Sequence, residues 1–269
     1  MPVDGQHTSQ QTEPARDDWD LHWSQYASVA ELNPAQDFRR RLILRALAVD
    51  RPGARVLDIG SGTGDLAAEL VAELPAPTVR GLELSATGVE LARRKVAEAE
   101  FMQWDLLAGT PVGERDAGWA DHAVCSEVLE HVDDPVALVA NARAFLAPGC
   151  RLVVTVPGGP MSAFDRHIGH RRHFKPGECA AVLAAAGYAV ESAHGAGFPF
   201  FNLYRLAVIA AGRRLIGAET GAAAPAPSRA QRIIAGVFRG LLSLNRGGGR
   251  LGFQTVAVAR NPGSPAQHS

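Results

Sequence analysis

The sequence predicts an α/β fold, a mostly parallel sheet with helices on both faces, and three observations carry that prediction. Short apolar, β-prone runs alternate with helix-forming segments through the middle of the chain. One of them, Val56-Leu57-Asp58-Ile59, delivers the backbone to glycines at alternate positions, Gly60, Gly62 and Gly64, directly ahead of the helix formers at 66–71. A second run, 78–83, ends in Glu83, about the 20 residues beyond Gly64 that separate glycine turn and acidic residue in a nucleotide-binding βαβ unit.

Residues 1–18 are rich in Gln, Thr and Asp and are expected to be disordered. Residues 19–50 read as an N-terminal helical cap. Trp19, Trp23 and Tyr26 stand at helical spacing, followed by Phe38, Leu42, Leu44 and Leu47. The core is expected at 51–196 and 250–261. Its strands fall near 55–59, 78–83, 100–103, 120–125, 151–156 and 188–192. A helix at 177–186 starts after Pro176 and stops at Gly187. The last strand, 252–259, arrives only about 60 residues after the sixth. Residues 197–249 are therefore an insertion: an apolar helix at 203–216, a Gly/Ala/Pro linker at 217–227 and a second helix at 229–244. Asn202 and Arg205 interrupt it, and it is too short to span a bilayer. Arg213, Arg214, Arg229, Arg232 and Arg239 flank or punctuate its helices. A lid or acceptor wall, a homodimer contact or plain packing, and a monotopic membrane contact are all open to it.

A chain of 269 residues is one large domain with an elaboration. Its net charge of −1 recruits neither nucleic acid nor an anionic membrane through the overall balance. Cys125, Cys150 and Cys179 lack paired spacing and read as small buried apolar residues. The polar first 18 residues carry no signal-peptide core. Abundant Gly, Ala, Arg and Pro with little Lys fit a soluble cytoplasmic protein.

The Asp58-x-Gly60-x-Gly62-x-Gly64 form resembles motif I of the class I S-adenosylmethionine (SAM) methyltransferases. The segments 100–105, 121–131 and 146–157 extend the resemblance in order, with Cys150 in place of the usual second glycine of the Leu-x-Pro-Gly-Gly turn. The resemblance implies a Rossmann-like, seven-stranded, mostly parallel sheet whose last strand is antiparallel, and SAM as cofactor. It further implies that the main chain at Gly60, Ser61, Gly62 and Gly64, with Ser126, holds the methionine portion. Asp58 would brace the loop and approach the SAM amino group. Glu83 would take the ribose hydroxyls, and Leu84, Trp104 and Asp105 would surround the adenine. In this family an N-terminal helical segment folds over the cofactor pocket, and plain packing on the sheet is the alternative for 19–50.

Two clusters fall on the acceptor side. Glu127-x-x-Glu130-His131 would share one face if a helical turn starts there. Asp165-Arg166-His167-Ile168-Gly169-His170-Arg171-Arg172-His173 places three histidines and three arginines within nine residues, suggesting an acid/base site with anion-binding arginines or a metal site. Together they resemble the metal-assisted small-RNA 2′-O-methyltransferases and ubiquinone-pathway O-methyltransferases. That likeness implies a divalent ion, Mg or Zn, held by Glu127, Glu130, His131 and His170. A metal-free general base (His170, His173 or His131) and a structural brace are the alternatives. The expected reaction is methyl transfer, most readily to oxygen, on a small and fairly apolar hydroxylated acceptor of natural-product or quinone-like type. A sugar or lipid-linked acceptor methylated at N or C, and a SAM-binding protein without transfer activity, are the other readings. A nucleic-acid substrate is disfavoured by the near-neutral charge and by the absence of an Asn/Asp-Pro-Pro-Tyr/Phe tetrapeptide after the fourth strand.

Overall fold

The computed structural model describes residues 19–26, 34–219, 236–238, 240–245 and 248–263, the side chains of 22, 24–26 and 211–219 aside. The expected disordered segment 1–18 lies outside these residues, as do 27–33 and 220–235. Seven strands form one sheet in the order β3-β2-β1-β4-β5-β7-β6. They are β1 (Arg55–Ile59), β2 (Thr78–Glu83), β3 (Glu100–Gln103), β4 (Ala120–Ser126), β5 (Leu146–Pro157), β6 (Ala189–Ala196) and β7 (Gln254–Arg260). The pairings β1–β2, β1–β4, β2–β3 and β4–β5 are parallel, and β7 runs antiparallel to both β5 and β6. The seven-stranded, mostly parallel sheet with one antiparallel strand is the expected fold.

Eight helices with both ends described flank it: α1 (Trp19–Tyr26), α2 (Pro34–Leu47), α3 (Asp65–Glu73), α4 (Ala86–Lys95), α5 (Pro135–Ala142), α6 (Ala163–His167), α7 (Pro176–Ala185) and α8 (Phe200–Glu219). Because side chains alternate along a strand, each central strand feeds two cores. Leu57, Ile59, Ala123, Cys125, Leu152 and Val154 face one layer, with Leu138 and Val139 of α5 and Cys179 and Leu183 of α7. Val56, Val124, Val153, Val256 and Val258 face the other, with Phe38 and Ile43 of α2, Leu70 of α3, Val89 of α4 and Phe201 of α8. The three cysteines are buried and free, as expected of small apolar residues.

Several boundaries move. β5 begins at Leu146 rather than 151, pairing with β4 across an irregularity between Ala120 and His122. The expected helical cap is two helices, and Ala48 with φ +51° lies just past the second. α8 runs to Glu219, past the Gly217 expected to end it. Of the expected helix 229–244, residues 236–238 and 240–243 are helical and the earlier part lies outside the described residues. α6 has no counterpart in the expectation. It is short, and a Ser162/Asp165 capping box starts it.

Candidate active site

Strand order reverses between β1 and β4, and in an open α/β sheet the ligand crevice lies at the carboxyl ends of the strands on either side of such a reversal. β1 ends there in the glycine turn. Gly60 and Gly62 have φ of +73° and +53°, which L side chains rarely adopt. A Cβ at Gly60 would collide with the Val128 side chain, and one at Gly62 would lie 2.8 Å from Trp23 Cζ2. The turn is fixed to β2: the N–H groups of Gly60 and Ser61 donate to Leu82 O (2.8 and 2.9 Å). The Gly62 N–H donates to Glu83 Oε2 at 2.8 Å.

Two compartments open along this crevice. A cavity of about 380 Å³ is lined by the turn, by Asp58, Ser126, Glu127, Glu130 and His131, and by Phe201, Tyr204, Arg205 and Val208 of α8. A smaller one of about 120 Å³ is lined by Glu83, Leu84, Trp104, Asp105 and Leu106, again with Gly60 and His131. Trp19 and Trp23 of α1 line both, so α1 covers the seam between them. It is held there by Asp20, which accepts from Ser85 Oγ (2.5 Å) and Thr87 N–H (3.0 Å) at the start of α4. The Trp19 ring meets the His131 ring edge-on at 4.8 Å between centroids.

The turn-side residues differ in their states. Asp58 is buried, its Oδ2 accepts no hydrogen bond, and burial with the nearby Glu83 charge pushes its carboxyl up to about 7. Burial raises Glu83 too, while N–H groups of Ser85 and Gly62 and the Trp23 indole hold it down. Ser61 turns its Oγ back towards Gly81 of β2. Ser126 Oγ bonds Thr155 Oγ1 at 2.9 Å. Asp105 Oδ1 accepts from Leu107 N–H at 2.9 Å, and Trp104 rests edge-on against Phe145.

On the other side of the cavity, Glu127 sits at φ +56° directly after β4. Its carboxylate accepts from Gln254 Nε2 (2.8 Å) and lies 3.6 Å from Arg39. A 3₁₀ turn, Leu129–His131, then carries Glu130 into the interior, where it is 0% exposed with both carboxylate oxygens unpartnered. Burial, reinforced by the Glu127 charge, drives its pKa well above the usual carboxylate range. One ligand atom each from Glu130, His131 and His170 lie within 4.8 Å of one another, and Glu127 is outside this set. The i, i+3, i+4 face expected for Glu127, Glu130 and His131 does not form, because the left-handed Glu127 precedes the turn.

His170 and His173 meet through an ordered pair of hydrogen bonds. His173 Nδ1 is 2.7 Å from Gly159 O, and a carbonyl can only accept, so that nitrogen carries its proton. With neutral rings, His173 Nε2 accepts from His170 Nδ1 at 3.1 Å, leaving the lone pair of His170 on Nε2. Burial, then the neighbouring His131, lowers the His170 pKa to about 3, so the ring stays neutral. Beneath lies Asp165, 1% exposed, bonded by Ser162 Oγ and N–H and by Arg205 at 3.0 Å to both oxygens. Burial pushes this carboxyl up, but Arg205 and Ser162 together hold it below its ordinary value. His167 closes α6 and does not join the pair. The arginines of the cluster tie loops together: Arg171 pairs with Asp133 and donates its N–H to Glu130 O, and Arg172 donates to Asp133 O.

Comparison with known proteins identifies the family. Residues 34–193, more than half of the chain, match the family model described as a methyltransferase domain. The chain belongs to the class I SAM-dependent methyltransferases. SAM is accordingly its cofactor. It is 31% identical over 205 residues to a ubiquinone biosynthesis O-methyltransferase of Xanthomonas axonopodis pv. citri, covering 70% of this chain and 82% of that one. It is 29% identical over 227 residues to the enzyme of that name from Thiobacillus denitrificans, covering 76% and 92%. In fold it is similar to phosphoethanolamine N-methyltransferase 2 of Haemonchus contortus in complex with SAM, with a TM-score of 0.59 at 17% identity, over 91% of this chain and 57% of that one.

Sequence reasoning missed Asp165 as the organiser of the histidine pair, although Ser162-x-x-Asp165 is a capping signal. It also missed Arg39, Gln254 and Arg205. Nothing local marks these, since each reaches the site from a distant element.

Proposed function

We propose that this methyltransferase transfers the SAM methyl group to a hydroxyl of a small acceptor with a fairly apolar body, of natural-product or quinone-like type. The observation that carries the reading is Glu130. It is a buried carboxyl with two unpartnered oxygens beside His131 and His170, in the cavity that the glycine turn also lines. A fold rarely leaves such a group unsatisfied without a ligand to meet it. The names of the ubiquinone biosynthesis relatives support oxygen as the accepting atom.

SAM supplies a sulfonium-bound methyl whose departure leaves a neutral thioether. The residues present fit it: the turn tolerates no Cβ at Gly60 or Gly62, and Asp58 offers an unpartnered buried oxygen suited to an ammonium group. Asp58 and the Gly60–Gly64 main chain, with Ser126, would hold the methionine portion. Glu83 would take the ribose hydroxyls, and Leu84, Trp104 and Asp105 would bound the adenine in the smaller compartment. Trp19 and Trp23 would exclude water over the seam. The acceptor would lie in the larger compartment against Ile43, Phe201, Tyr204 and Val208, its hydroxyl towards the Glu130 cluster.

The Glu130, His131 and His170 set fits a divalent ion, Mg or Zn, which would polarise an acceptor hydroxyl when bound. In that arrangement Glu127 steadies the cluster from outside, through Gln254 and Arg39. A second reading is favoured by the His173–His170 hydrogen bond. Without an ion, the Nε2 lone pair of His170 takes the acceptor proton directly. Methyl transfer from labelled SAM to a panel of catechols and phenols, with and without EDTA, tests the proposal. Transfer to oxygen supports it, and EDTA sensitivity selects between the two modes of activation. Normal SAM binding with transfer only to nitrogen acceptors would overturn it.

A further inference from the structure

α8 presents two apolar stripes. Phe201, Tyr204 and Val208 line the large cavity, whereas Leu203, Leu206, Ala207 and Ala210 face outward, with Leu203 57% and Leu206 48% exposed. A helix apolar on both faces is ordinarily covered on both. Among the described residues, six of nine exposed large hydrophobic side chains lie in this part of the chain: Phe198, Leu203, Leu206, Val237, Leu244 and Leu251. They sit on one connected unit. Asn202 Nδ2 donates to Leu251 O (2.7 Å), the Phe200 N–H donates to Asn245 Oδ1 (2.9 Å), and the Tyr204 and Phe238 rings meet at 5.5 Å.

Charge is segregated onto the same segment. Residues 197–251 hold eight arginines, no lysine and one acidic residue, Glu219, a formal +7, so the rest of the chain carries −8. Arg205 is committed to the buried Asp165, and Arg250 is exposed beside Leu251. Positions 213 and 214, further along the same helix in sequence, are both arginine. Exposed apolar side chains on a strongly basic segment are the chemistry of a surface that lies in a bilayer interface. No helix among the described residues is long and apolar enough to cross a membrane.

We propose that the outer face of α8, with Phe198, Leu244 and Leu251 beside it, docks flat on an anionic lipid bilayer, with the acceptor cavity immediately behind the docked helix. A second copy of the chain fits less well, because an isologous contact would set one +7 segment against another. The inference goes beyond the proposed reaction and does not depend on it.

Co-sedimentation with vesicles tests it, using phosphatidylcholine alone and phosphatidylcholine mixed with phosphatidylglycerol. The full-length protein is expected to sediment with the anionic vesicles, to remain largely free of the neutral ones, and to be released as salt rises from roughly 0.05 M to roughly 0.5 M. A Leu203→Glu/Leu206→Glu variant should partition on the order of ten-fold or more weakly, because two buried aliphatic groups become charges. Its SAM affinity and melting temperature should be unchanged. Arg250→Glu, outside the cavity, should weaken binding in the same direction, so the expectation stands even if the double variant fails to fold. Absence of sedimentation with anionic vesicles would overturn the proposal. So would vesicle binding unaltered by these substitutions, or a wild-type dimer that Leu203→Glu/Leu206→Glu converts to monomer by analytical ultracentrifugation.

Discussion

Replacing Gly62 with alanine tests the packing of α1 against the glycine turn. The backbone there has φ +53°, and holding an L residue in the left-handed region costs about 1–2 kcal/mol. The new Cβ would also stand 2.8 Å from Trp23 Cζ2 and 2.9 Å from Cη2, closer than real carbon contacts. Trp23 belongs to a two-turn helix held by Asp20 and by the Trp19–His131 ring contact, so that helix gives way rather than the sheet. The expected outcome is a folded protein whose melting temperature falls by about 2–4 °C per kcal/mol lost. Its SAM affinity should fall as well, because the Gly62 N–H that anchors Glu83 shifts. The decisive assay is a double-mutant cycle in urea with Trp23→Ala. Removing the indole relieves the clash but not the backbone strain, so the two substitutions should couple by about 1 kcal/mol towards relief. Additivity within about 0.5 kcal/mol would refute the contact between α1 and the turn.

Asp58 has a folded-state pKa raised to about 7 from an ordinary 3.8. The native state therefore binds more protons, and the wild type should lose stability as pH climbs through that window, at a slope approaching about 1.4 kcal/mol per pH unit. Asp58→Asn should flatten this slope in urea titrations from pH 4 to pH 8 while weakening SAM binding. In the wild type, SAM affinity should rise with pH through about 7, as the carboxylate becomes available to an ammonium group. Arg205→Met takes the guanidinium from the 1%-exposed Asp165 carboxylate, and should cost about 3 kcal/mol in chemical denaturation. His173→Phe removes the acceptor for His170 Nδ1 and should lower kcat or metal affinity by about 10–100-fold with little change in SAM binding, since it acts by orienting another ring.

How far the sequence could be read follows from where each signal is stored. The glycine turn and the strand ends at Asp58 and Glu83 were legible because local chemistry writes them: positive φ demands glycine, and β-branched runs separated by helix formers demand a parallel sheet. Glu130 and His131 were legible as a pair. Their environment was not, since Glu127 departs from a helical face through a left-handed backbone, and its carboxylate is bonded by Gln254 of β7, 127 positions away. The cluster of histidines was visible, but not how they meet: α6 ends at His167, and His170 meets His173 through a segment held by Asp165 and Gly159. The Trp19/Trp23 cluster was visible, but covering the pocket and packing on the sheet write the same helical spacing. The Asp20 contacts to the start of α4 and the Trp19–His131 ring contact distinguish them.

The most direct test of the account is calorimetry of the purified protein with SAM, alongside elemental analysis and the Glu130→Gln variant. Micromolar SAM binding that survives Glu130→Gln is expected, together with a stoichiometric divalent ion that Glu130→Gln loses. SAM binding without any metal would transfer the activating role to His170 Nε2. The absence of SAM binding by the wild-type protein would contradict the assignment of the glycine turn, Asp58 and Glu83 as a cofactor site, and with it the proposed reaction.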